Sequence, residues 1–223
     1  MKAVYFTEHG GPEVFKFGEL PEPTPGEGEV KIKVKACALN RLDVYTRAGV
    51  RGTKMDLTEP HVLGADVSGE VVEIGPKVTR ISAGDRVVVN PRITCMQCRY
   101  CQSNQTEYCG SAGMVGSAIR GGYAEYVVVP ATNAFPIPDA LNHVQAASLP
   151  TVFLPSWNIL IRRSQLKPWE IALVPSASSG VGTAAIQVAK NIAKSTVIAT
   201  TSTVEKAEKA SALGADHVIN YKS

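Results

Sequence analysis

Four of the five cysteines in the chain lie within one short stretch, which is the clearest chemical signal in the sequence. Their spacing, C-x2-C-x2-C-x7-C on a loop after a strand, is typical of a zinc site with four thiolate ligands. Such an ion has no open coordination position, so it would stabilise a lobe that lacks an apolar core and take no part in chemistry. Four unrelated cysteines, or thiols with a redox role, are the alternatives. The predicted ligands are Cys95, Cys98, Cys101 and Cys109.

A turn of small residues between a strand and a helix is the second signal. Ile171 to Val174 is a short apolar strand, and apolar residues recur at helical spacing from Val181 onward. The N–H groups and the dipole at a helix N-terminus favour a pyrophosphate. The G-x-G-x-x-G fingerprint is weak, because its positions are Ala177, Ser179 and Gly182. An ordinary small-residue loop is the alternative. The predicted phosphate-binding residues are Ser178, Ser179, Gly180, Val181 and Gly182.

Predicted strands and helices alternate from this turn to the end of the sequence. A second strand, Thr196 to Thr200, is followed by a helix from Thr203 to Leu213 and by a third strand from Asp216 to Tyr221. A β-α-β-α-β order predicts half of a doubly wound parallel sheet. We therefore predict a partial Rossmann domain that binds NAD(P) over residues 136–223.

The end of the second predicted strand bears on the choice between NAD and NADP. An Asp or Glu about 20 residues after the glycine turn would bind the ribose of NAD, but residues 199–204 are Ala, Thr, Thr, Ser, Thr and Val. Hydroxyl groups and a nearby cation accommodate a 2′-phosphate instead, so NADPH is predicted over NADH. The alternative for Lys206 is a solvated lysine on the helix surface. The predicted residues at this end of the cofactor are Thr201, Ser202 and Lys206.

Composition and charge exclude several classes of protein. The chain has 223 residues, 44% of them hydrophobic and 19% charged, which is ordinary for a soluble globular protein. The net charge is only +3, and Lys31, Lys33 and Lys35 alternate with apolar residues, which indicates a half-exposed strand and no nucleic-acid surface. No segment is apolar for long enough to span a membrane, and residues 1–6 are too short for a signal peptide. We expect a cytoplasmic protein with reduced cysteines.

The N-terminal part of the chain predicts many short strands. They are expected on both sides of a turn at residues 9–12, at 30–36, 67–74 and 86–90, and before Pro130, with turn residues between them. A barrel-like β domain is therefore predicted over residues 1–135, with the cysteines in a zinc lobe at residues 90–112. Helices are predicted at residues 40–48, 142–149 and 157–163.

Together these motifs resemble the medium-chain dehydrogenase/reductase family over the whole chain. The resemblance rests on Gly64 to Gly75, Ala83 to Val87, Gly122 to Tyr126 and Leu213 to Asp216, with the cysteine lobe and the glycine turn. It implies an α/β protein with a GroES-like β-barrel domain followed by a Rossmann domain. It also implies contacts from Lys206 and Tyr221 to the 2′-phosphate of NADPH, and a homodimer or homotetramer in the full-length form.

The resemblance also bears on catalytic zinc. In the zinc-dependent members a cysteine ligand stands where this sequence has Asn40, and a Gly-His-Glu run stands where it has Gly64-Ala65-Asp66. Both ligands are missing. Cys37 and His61 lie outside the matching register, so we interpret them as a small buried residue and a partly buried loop histidine.

The missing ligands favour reduction of an activated substrate over oxidation of an alcohol, which needs an alkoxide. Zinc lowers the pKa of a bound oxygen acid from about 15.7 to about 7, which is worth roughly 12 kcal/mol. One hydrogen-bond donor supplies only about 3 to 4 kcal/mol. Hydride transfer to a quinone or an activated alkene is easier, because it generates a delocalised anion that donors can hold and protonate.

One segment resembles the N-x-x-D-x-Y motif of the quinone oxidoreductase branch, which lacks catalytic zinc. By this match Asn40 and Tyr45 would line the nicotinamide pocket, Tyr45 would donate a hydrogen bond or a proton, and Asp43 would organise the site. The alternative is that Asp43 caps the helix or pairs locally and that Tyr45 only packs.

The sequence also departs from the family. Pro155-Ser156-Trp157 replaces a Thr-Ala-aromatic run, with Pro155 interpreted as the first residue of a helix, and Ala193 to Thr196 lacks the glycine that normally ends the first Rossmann helix. The second Rossmann half and a C-terminal return into the β domain are absent from the sequence. We therefore expect the chain by itself to be a poor catalyst.

The sequence thus predicts an NADPH-dependent oxidoreductase that transfers hydride to a quinone or an activated alkene and carries structural zinc only. A zinc-type alcohol dehydrogenase with rearranged ligands is the alternative within the enzyme class. A nucleotide-binding sensor or an RNA-binding relative without turnover is the alternative from another class.

Overall fold

The chain folds into two compact units in a computed structural model that describes residues 1–222. The first unit ends at Pro150 and the second begins at Thr151. The sequence placed this division at residue 135, but a short helix at His143–Ala147 packs against the sheet of the first unit and so extends it. Among the described residues, no helix combines the length and the apolar character needed to cross a membrane.

The first unit consists mainly of short strands. Its elements are β1 (Lys2–Tyr5), β2 (Lys16–Glu19), β3 (Glu29–Ala38), α1 (Arg41–Ala48), β4 (Asp66–Ile74), β5 (Arg86–Val89), β6 (Arg92–Ile93), α2 (Arg99–Gln102), β7 (Gly113–Met114), β8 (Tyr126–Pro130), β9 (Ala134–Pro136) and α3 (His143–Ala147). Short 3-10 turns lie at Pro12–Val14, Thr106–Tyr108 and Ala131–Asn133. The predicted β-rich domain is confirmed.

A five-stranded antiparallel sheet in the order β8-β3-β4-β5-β9 carries the core of this unit. In β3, Val30 and Ile32 are fully buried, whereas Lys33 and Lys35 are exposed. This alternation follows from the two-residue period of a strand, and it confirms the half-exposed strand predicted from the lysines. β1 and β2 form a separate antiparallel hairpin, and β6 pairs with β7 to close the cysteine lobe.

Helix α1 follows β3 directly and begins after Asn40. It ends at Gly49, whose φ of 67° lies in the left-handed region that favours glycine. A Cβ added at Gly49 would lie 2.8 Å from the ring of His9. The predicted helix over residues 40–48 is therefore confirmed, and its end is fixed by the close approach of the His9 ring.

The second unit is a three-stranded parallel sheet with helices between its strands. Its elements are α4 (Pro150–Trp157), β10 (Ile171–Val174), α5 (Gly180–Val188), β11 (Thr196–Thr201), α6 (Val204–Ala212) and β12 (His217–Asn220), with π-helical turns after α4 (Asn158–Arg163) and after α5 (Ala189–Ala193). The sheet order is β10-β11-β12. The partial Rossmann fold is confirmed by this order and by the parallel pairing.

One face of this sheet carries the core of the second unit. Ala172, Val174 and Val197 are buried there with Ile186 of α5. On the other face Leu173 is 61% exposed. The alternation in β10 therefore separates a packed face from an open one.

The prediction for the helix around Trp157 was wrong at its start. Helix α4 begins at Pro150, so Pro155 lies inside the helix rather than at its first position. A proline lacks the N–H that would bond to the preceding turn, and its ring crowds the carbonyl four residues earlier. Pro150 is the residue at the favoured first position, and sequence reasoning assigned that role to the wrong proline.

The missing glycine after the first Rossmann helix is replaced by a lysine in the same conformation. Lys194 has φ 59° and ψ 25°, which is left-handed, and it ends the π-helical turn after α5. A left-handed residue at this position lets the chain leave the helix and enter β11. The left-handed conformation is therefore adopted by Lys194, although glycine would adopt it at a lower cost.

Candidate functional site

The four predicted zinc ligands converge in the lobe between β5 and β8. Their Sγ atoms all lie within 4.8 Å of one another, and three Sγ–Sγ pairs are 3.6 to 3.9 Å apart. Four sulfurs at about 2.3 Å from a tetrahedral zinc ion would be about 3.8 Å apart. The same distances are far longer than a disulfide bond of about 2.05 Å. The donor set therefore fits one zinc ion with four thiolates: Cys95, Cys98, Cys101 and Cys109.

Backbone N–H groups in the lobe point at the sulfur atoms. Cys98 N–H donates to Cys95 Sγ at 3.3 Å, and Cys95 N–H donates to Cys109 Sγ at 3.5 Å. Donors of this kind, from Gln97 and Cys98, lower the pKa of the Cys95 thiol, whereas burial raises the pKa of Cys101. Stabilised thiolates are what a zinc ion needs as ligands.

The glycine turn of the second unit has the geometry expected of a phosphate cradle. Ser179 is the N-cap of α5, and its Oγ accepts a hydrogen bond from Gly182 N–H at 3.0 Å. A Cβ at Gly182 would lie 2.5 Å from the carbonyl oxygen of Ser176, so the turn closes only because this residue is glycine. Ser176 itself has φ 52°. The strained residue of the turn is therefore Ser176. It lies one position before Ala177, the first position of the G-x-G-x-x-G fingerprint.

The exposed side of this turn presents the residues predicted to meet a pyrophosphate. Ser178, Ser179, Gly180 and Val181 are all exposed, whereas Gly182 is buried beneath them. The N–H groups in the first turn of a helix have no partner within the helix. The turn therefore offers unpaired backbone donors to an anion at the N-terminus of α5.

The residues predicted for the far end of the cofactor lie together at the ends of β11 and β12. Tyr221 N–H donates to the carbonyl of Thr201 at 3.0 Å. Lys206 Nζ lies 3.4 Å from Ser202 Oγ. Thr203 caps α6 by accepting a hydrogen bond from Lys206 N–H. A cation, a hydroxyl and an exposed tyrosine thus share one end of the sheet.

A network of buried and half-buried polar side chains surrounds the start of α1 in the first unit. Asn40 Nδ2 donates to Asp66 Oδ2 at 2.9 Å, and Asn40 N–H donates to Asp43 Oδ2 at 2.7 Å. The Tyr123 hydroxyl donates to the same Asp43 oxygen at 2.8 Å. Asp43 is 8% exposed and Asp66 is 2% exposed. The network ties α1 to β4 and to the loop before β8.

Burial, reinforced by nearby carboxylates, keeps two neighbouring side chains protonated. Burial, and then the charges of Asp43 and Asp66, raise the pKa of Cys37 to about 12. Burial and the Asp43 carboxylate raise the pKa of Tyr123 above its ordinary value. Cys37 is therefore a neutral thiol. Tyr123 stays protonated, and its hydroxyl donates a hydrogen bond to Asp43.

Tyr45, the third predicted residue of this site, lies outside the network. Its ring is half-buried, and the guanidinium carbon of Arg51 lies 4.6 Å from the ring centre. The structure therefore brings Asn40 and Asp43 together, adds Asp66 and Tyr123 to them, and leaves Tyr45 one turn further along α1.

Tyr123 and Asp66 were not among the predicted site residues. Both stand in glycine-rich runs that sequence reasoning used only for the resemblance. An isolated acid in a strand and an aromatic residue in a loop carry no local pattern, because their partners are 26 and 80 residues away in the chain. The signal available in the sequence was that Asp66 stands where the zinc-dependent members, by the resemblance, have the Glu of the Gly-His-Glu run.

Cys37 and His61 do not form a metal site. The Nε2 of His61 lies 3.1 Å from the carbonyl oxygen of Gly116, and its ring packs edge-on against Phe6. Burial lowers the pKa of His61. Within residues 1–222, the only group of three or more His, Cys, Asp or Glu side chains close enough to share an ion is the four-cysteine cluster.

The chain matches two known protein families along its length. Residues 26–139 match the alcohol dehydrogenase GroES-like domain, and residues 180–223 match the zinc-binding dehydrogenase domain. The chain belongs to the medium-chain dehydrogenase/reductase family.

Relatives in this family differ in the activity named for them. An NAD-dependent alcohol dehydrogenase of Saccharolobus solfataricus is 34% identical in sequence. The match covers 99% of this chain and 64% of the length of that relative. A quinone oxidoreductase of Mus musculus is 31% identical, over 100% of this chain and 59% of its own. A crystal structure of an NAD-dependent alcohol dehydrogenase has a TM-score of 0.95 at 43% identity, over 100% of this chain and 64% of that one. The chain spans about three fifths of the length of these relatives.

Proposed function

We propose that the protein is an NADPH-dependent oxidoreductase that reduces a quinone or an activated alkene and uses zinc only as a structural ion. The observation that carries this proposal is the hydrogen bond from Asn40 to Asp66. It joins the two positions at which zinc-dependent members, by the resemblance, have a cysteine ligand and the acid of a Gly-His-Glu run. Asn40 at the cysteine position is already bonded to Asp66, and Ala65 stands at the histidine position, so these positions offer no thiolate or imidazole to a second ion.

The chemistry of the cofactor end supports NADPH. Lys206 and Ser202 lie within 3.4 Å of each other beside Tyr221 and Thr201, and residues 199–204 contain no acid that would bind a free ribose hydroxyl. A 2′-phosphate carries negative charge and acceptor oxygens, which a lysine and hydroxyl groups can bind. A bound nicotinamide supplies the hydride.

The polar network assigns a role to each of its residues. Asp43 caps α1 and fixes its first turn, so that Asn40 is held in place by a backbone and a side-chain hydrogen bond. The amide nitrogen of Asn40 carries two hydrogens and gives one to Asp66, so the other can be donated to a substrate oxygen. Tyr45, on the next turn, is the proposed donor of a hydrogen bond or proton. Together they would hold a developing enolate or hydroquinone anion.

The four cysteines have a separate, structural role. The lobe between β6 and β7 buries few apolar side chains, and Cys101 and Cys109 are among its buried residues. A zinc ion bound by four thiolates would supply the folding energy that the lobe lacks.

A second candidate is an alcohol dehydrogenase that uses NAD. It is favoured by relatives of this name at 34% sequence identity and by a structure of this name at a TM-score of 0.95. As an alcohol dehydrogenase, the protein would need a catalytic metal ion that is bound by side chains other than those of Asn40 and Ala65.

The proposal is tested by assaying the zinc-loaded protein against a quinone, an enone and a set of primary and secondary alcohols, each with both cofactors. Oxidation of NADPH by the quinone or the enone, without oxidation of alcohols by NADP or NAD, supports it. Oxidation of an alcohol that is lost on chelation and restored by zinc contradicts it and favours the second candidate.

A further inference from the structure

The side chain of Tyr123 reaches from the loop before β8 to the first turn of α1. Its hydroxyl donates a hydrogen bond to Asp43 Oδ2 at 2.8 Å. Its ring lies against Gly64, where a Cβ would come within 2.7 Å of the ring. Gly64 has φ 102°, a conformation that residues with a Cβ rarely adopt. The backbone at Gly64 therefore leaves the space through which the tyrosine reaches Asp43.

Two main-chain hydrogen bonds fix the position from which this side chain starts. Tyr123 N–H donates to the carbonyl of Leu63 at 2.9 Å, and the Tyr123 carbonyl accepts from Val4 N–H at 2.8 Å. These bonds attach Tyr123 to the segment before β4 and to β1. A tyrosine has only two side-chain torsions, so a fixed backbone and a packed ring leave its hydroxyl little freedom. Tyr123 is thus a rigid donor, placed by contacts that do not involve α1.

Asp43 accepts two hydrogen bonds on the same carboxylate oxygen. One comes from Asn40 N–H at 2.7 Å, at the N-cap of α1, and the other comes from the Tyr123 hydroxyl, outside the helix. Asp43 is 8% exposed, so water has little access to it. Hydrogen bonds to a carboxylate are among the stronger ones in proteins. The Tyr123 hydroxyl therefore ties the cap of α1, through Asp43, to the rest of the first unit.

We infer that Tyr123 is a positioning residue for the proposed reduction: it holds Asp43, Asp43 holds the backbone of Asn40, and the Asn40 side-chain amide thereby stays directed at the substrate oxygen. The inference rests on the proposed function, in which Asn40 donates its second amide hydrogen to that oxygen. Burial raises the pKa of Tyr123, so the hydroxyl keeps its proton and remains a donor. Displacement of a positioned group is costly, because an error of about 1 Å can lower a rate about 100-fold.

A double-mutant cycle between Tyr123 and Asn40 tests the inference on the zinc-loaded protein. Tyr123→Phe should lower kcat for reduction of a quinone about tenfold and leave KM for NADPH unchanged. Asn40→Ala removes the amide itself, so adding Tyr123→Phe to Asn40→Ala should lower kcat no further. The same loss in both backgrounds would overturn the inference, because the effect of the hydroxyl would then not pass through Asn40.

Two further variants separate the donor from the shape of the side chain. Replacement of Tyr123 by para-aminophenylalanine keeps an N–H donor at the same place and should recover most of the lost kcat. Tyr126→Phe removes a hydroxyl on β8 that takes no part in the network, and it should leave kcat unchanged. Equal losses in Tyr123→Phe and Tyr126→Phe, or no recovery with the amine, would contradict the inference. If Tyr123→Phe does not fold, para-fluorophenylalanine, which fills the space of the hydroxyl without donating, takes its place in the cycle.

The side-chain amide of Asn40 gives a readout that does not depend on turnover. Its two hydrogens are inequivalent in the structure, because one is donated to Asp66 Oδ2 at 2.9 Å. Their NMR signals are assigned by their loss in Asn40→Ala. We expect Tyr123→Phe to speed the exchange of these hydrogens with water about fivefold, and Tyr126→Phe to leave the exchange unchanged.

Activity and exchange together separate failure of this inference from failure of the proposed function. Unchanged exchange at Asn40 in Tyr123→Phe would overturn the inference, whatever the activity. If the original protein reduces no quinone or enone while exchange at Asn40 speeds up in Tyr123→Phe, the proposed function is contradicted and the link from Tyr123 to Asn40 is supported.

Discussion

At the scale of single residues, the polar network at the start of α1 consists of side chains that are each held by one or two hydrogen bonds. Asp43 is buried and accepts from both Asn40 N–H and the Tyr123 hydroxyl, so its charge is balanced by donors and not by a cation. Hydrogen bonds to an ionised acceptor are stronger than those between neutral groups. Loss of either donor should therefore be measurable.

The Tyr123→Phe substitution tests this network. It keeps the ring, which packs where a Cβ at Gly64 would lie 2.7 Å from it, and removes only the hydroxyl. We expect the free energy of unfolding to fall by about 1 to 3 kcal/mol, because a buried carboxylate loses one donor. Urea unfolding measures the change. Tyr126→Phe is the control, since Tyr126 takes no part in this network, and an equal loss in both variants would contradict the argument.

Lys206 is the residue that we propose to favour NADPH over NADH. Replacement of Lys206 by Ala should weaken NADPH binding about tenfold, because a charged partner of the 2′-phosphate is lost, and leave NADH binding unchanged. Lys209→Ala on the same helix is the control, since Lys209 already pairs with Glu205. Calorimetric titration with both cofactors gives the four affinities. An equal effect of Lys206→Ala on NADPH and NADH would exclude a 2′-phosphate contact.

At the scale of elements, α5 of the Rossmann unit is flanked by two residues other than glycine that adopt a left-handed conformation. Ser176 has φ 52° before α5, and Lys194 has φ 59° after it. A left-handed L-residue with a Cβ costs roughly 1 to 2 kcal/mol, and glycine avoids most of this cost. The parallel sheet is thus assembled with local strain at both ends of the same helix.

The Lys194→Gly substitution should stabilise the protein. Lys194 is exposed and ends the helix in the conformation that glycine favours, so we expect the free energy of unfolding to rise by about 1 kcal/mol. Lys194→Ala removes the charge and keeps the Cβ, so it should change stability little. Thermal unfolding of both variants makes the comparison. A gain in Lys194→Ala equal to that in Lys194→Gly would attribute the effect to charge.

The Gly182→Ala substitution should open the phosphate turn. Its Cβ would lie 2.5 Å from the Ser176 carbonyl oxygen, which is backbone and cannot rotate away. We expect NADPH affinity to fall by at least about tenfold. At Gly180 the nearest atom to an added Cβ is a Val152 methyl carbon at 2.7 Å, a side chain that can shift, so Gly180→Ala should lose less. The reverse order of losses would contradict the geometry of the turn.

At the scale of the whole molecule, the parts predictable from the sequence are those with local patterns. Three patterns are each confined to one short stretch of sequence: the cysteine spacing, the strand–turn–helix around Gly182 and the alternating lysines of β3. Periodicity and composition are therefore enough to predict them. The contacts of Tyr123 with Asp43 and of Asn40 with Asp66 depend on chain separations of 80 and 26 residues. No local pattern predicts such contacts, and none predicts the left-handed conformation of Lys194.

The central claim for the whole molecule is that it holds one structural zinc ion and no catalytic one. Elemental analysis of the protein, purified without added zinc, measures this directly, with Cys109→Ser as the matched variant. We predict about one zinc ion per chain in the original protein and close to none in Cys109→Ser, because one of four thiolates is lost. A value near two would show a second metal site, and alcohol dehydrogenation would become the better account. One ion retained in Cys109→Ser would contradict the assignment of that ion to the four cysteines.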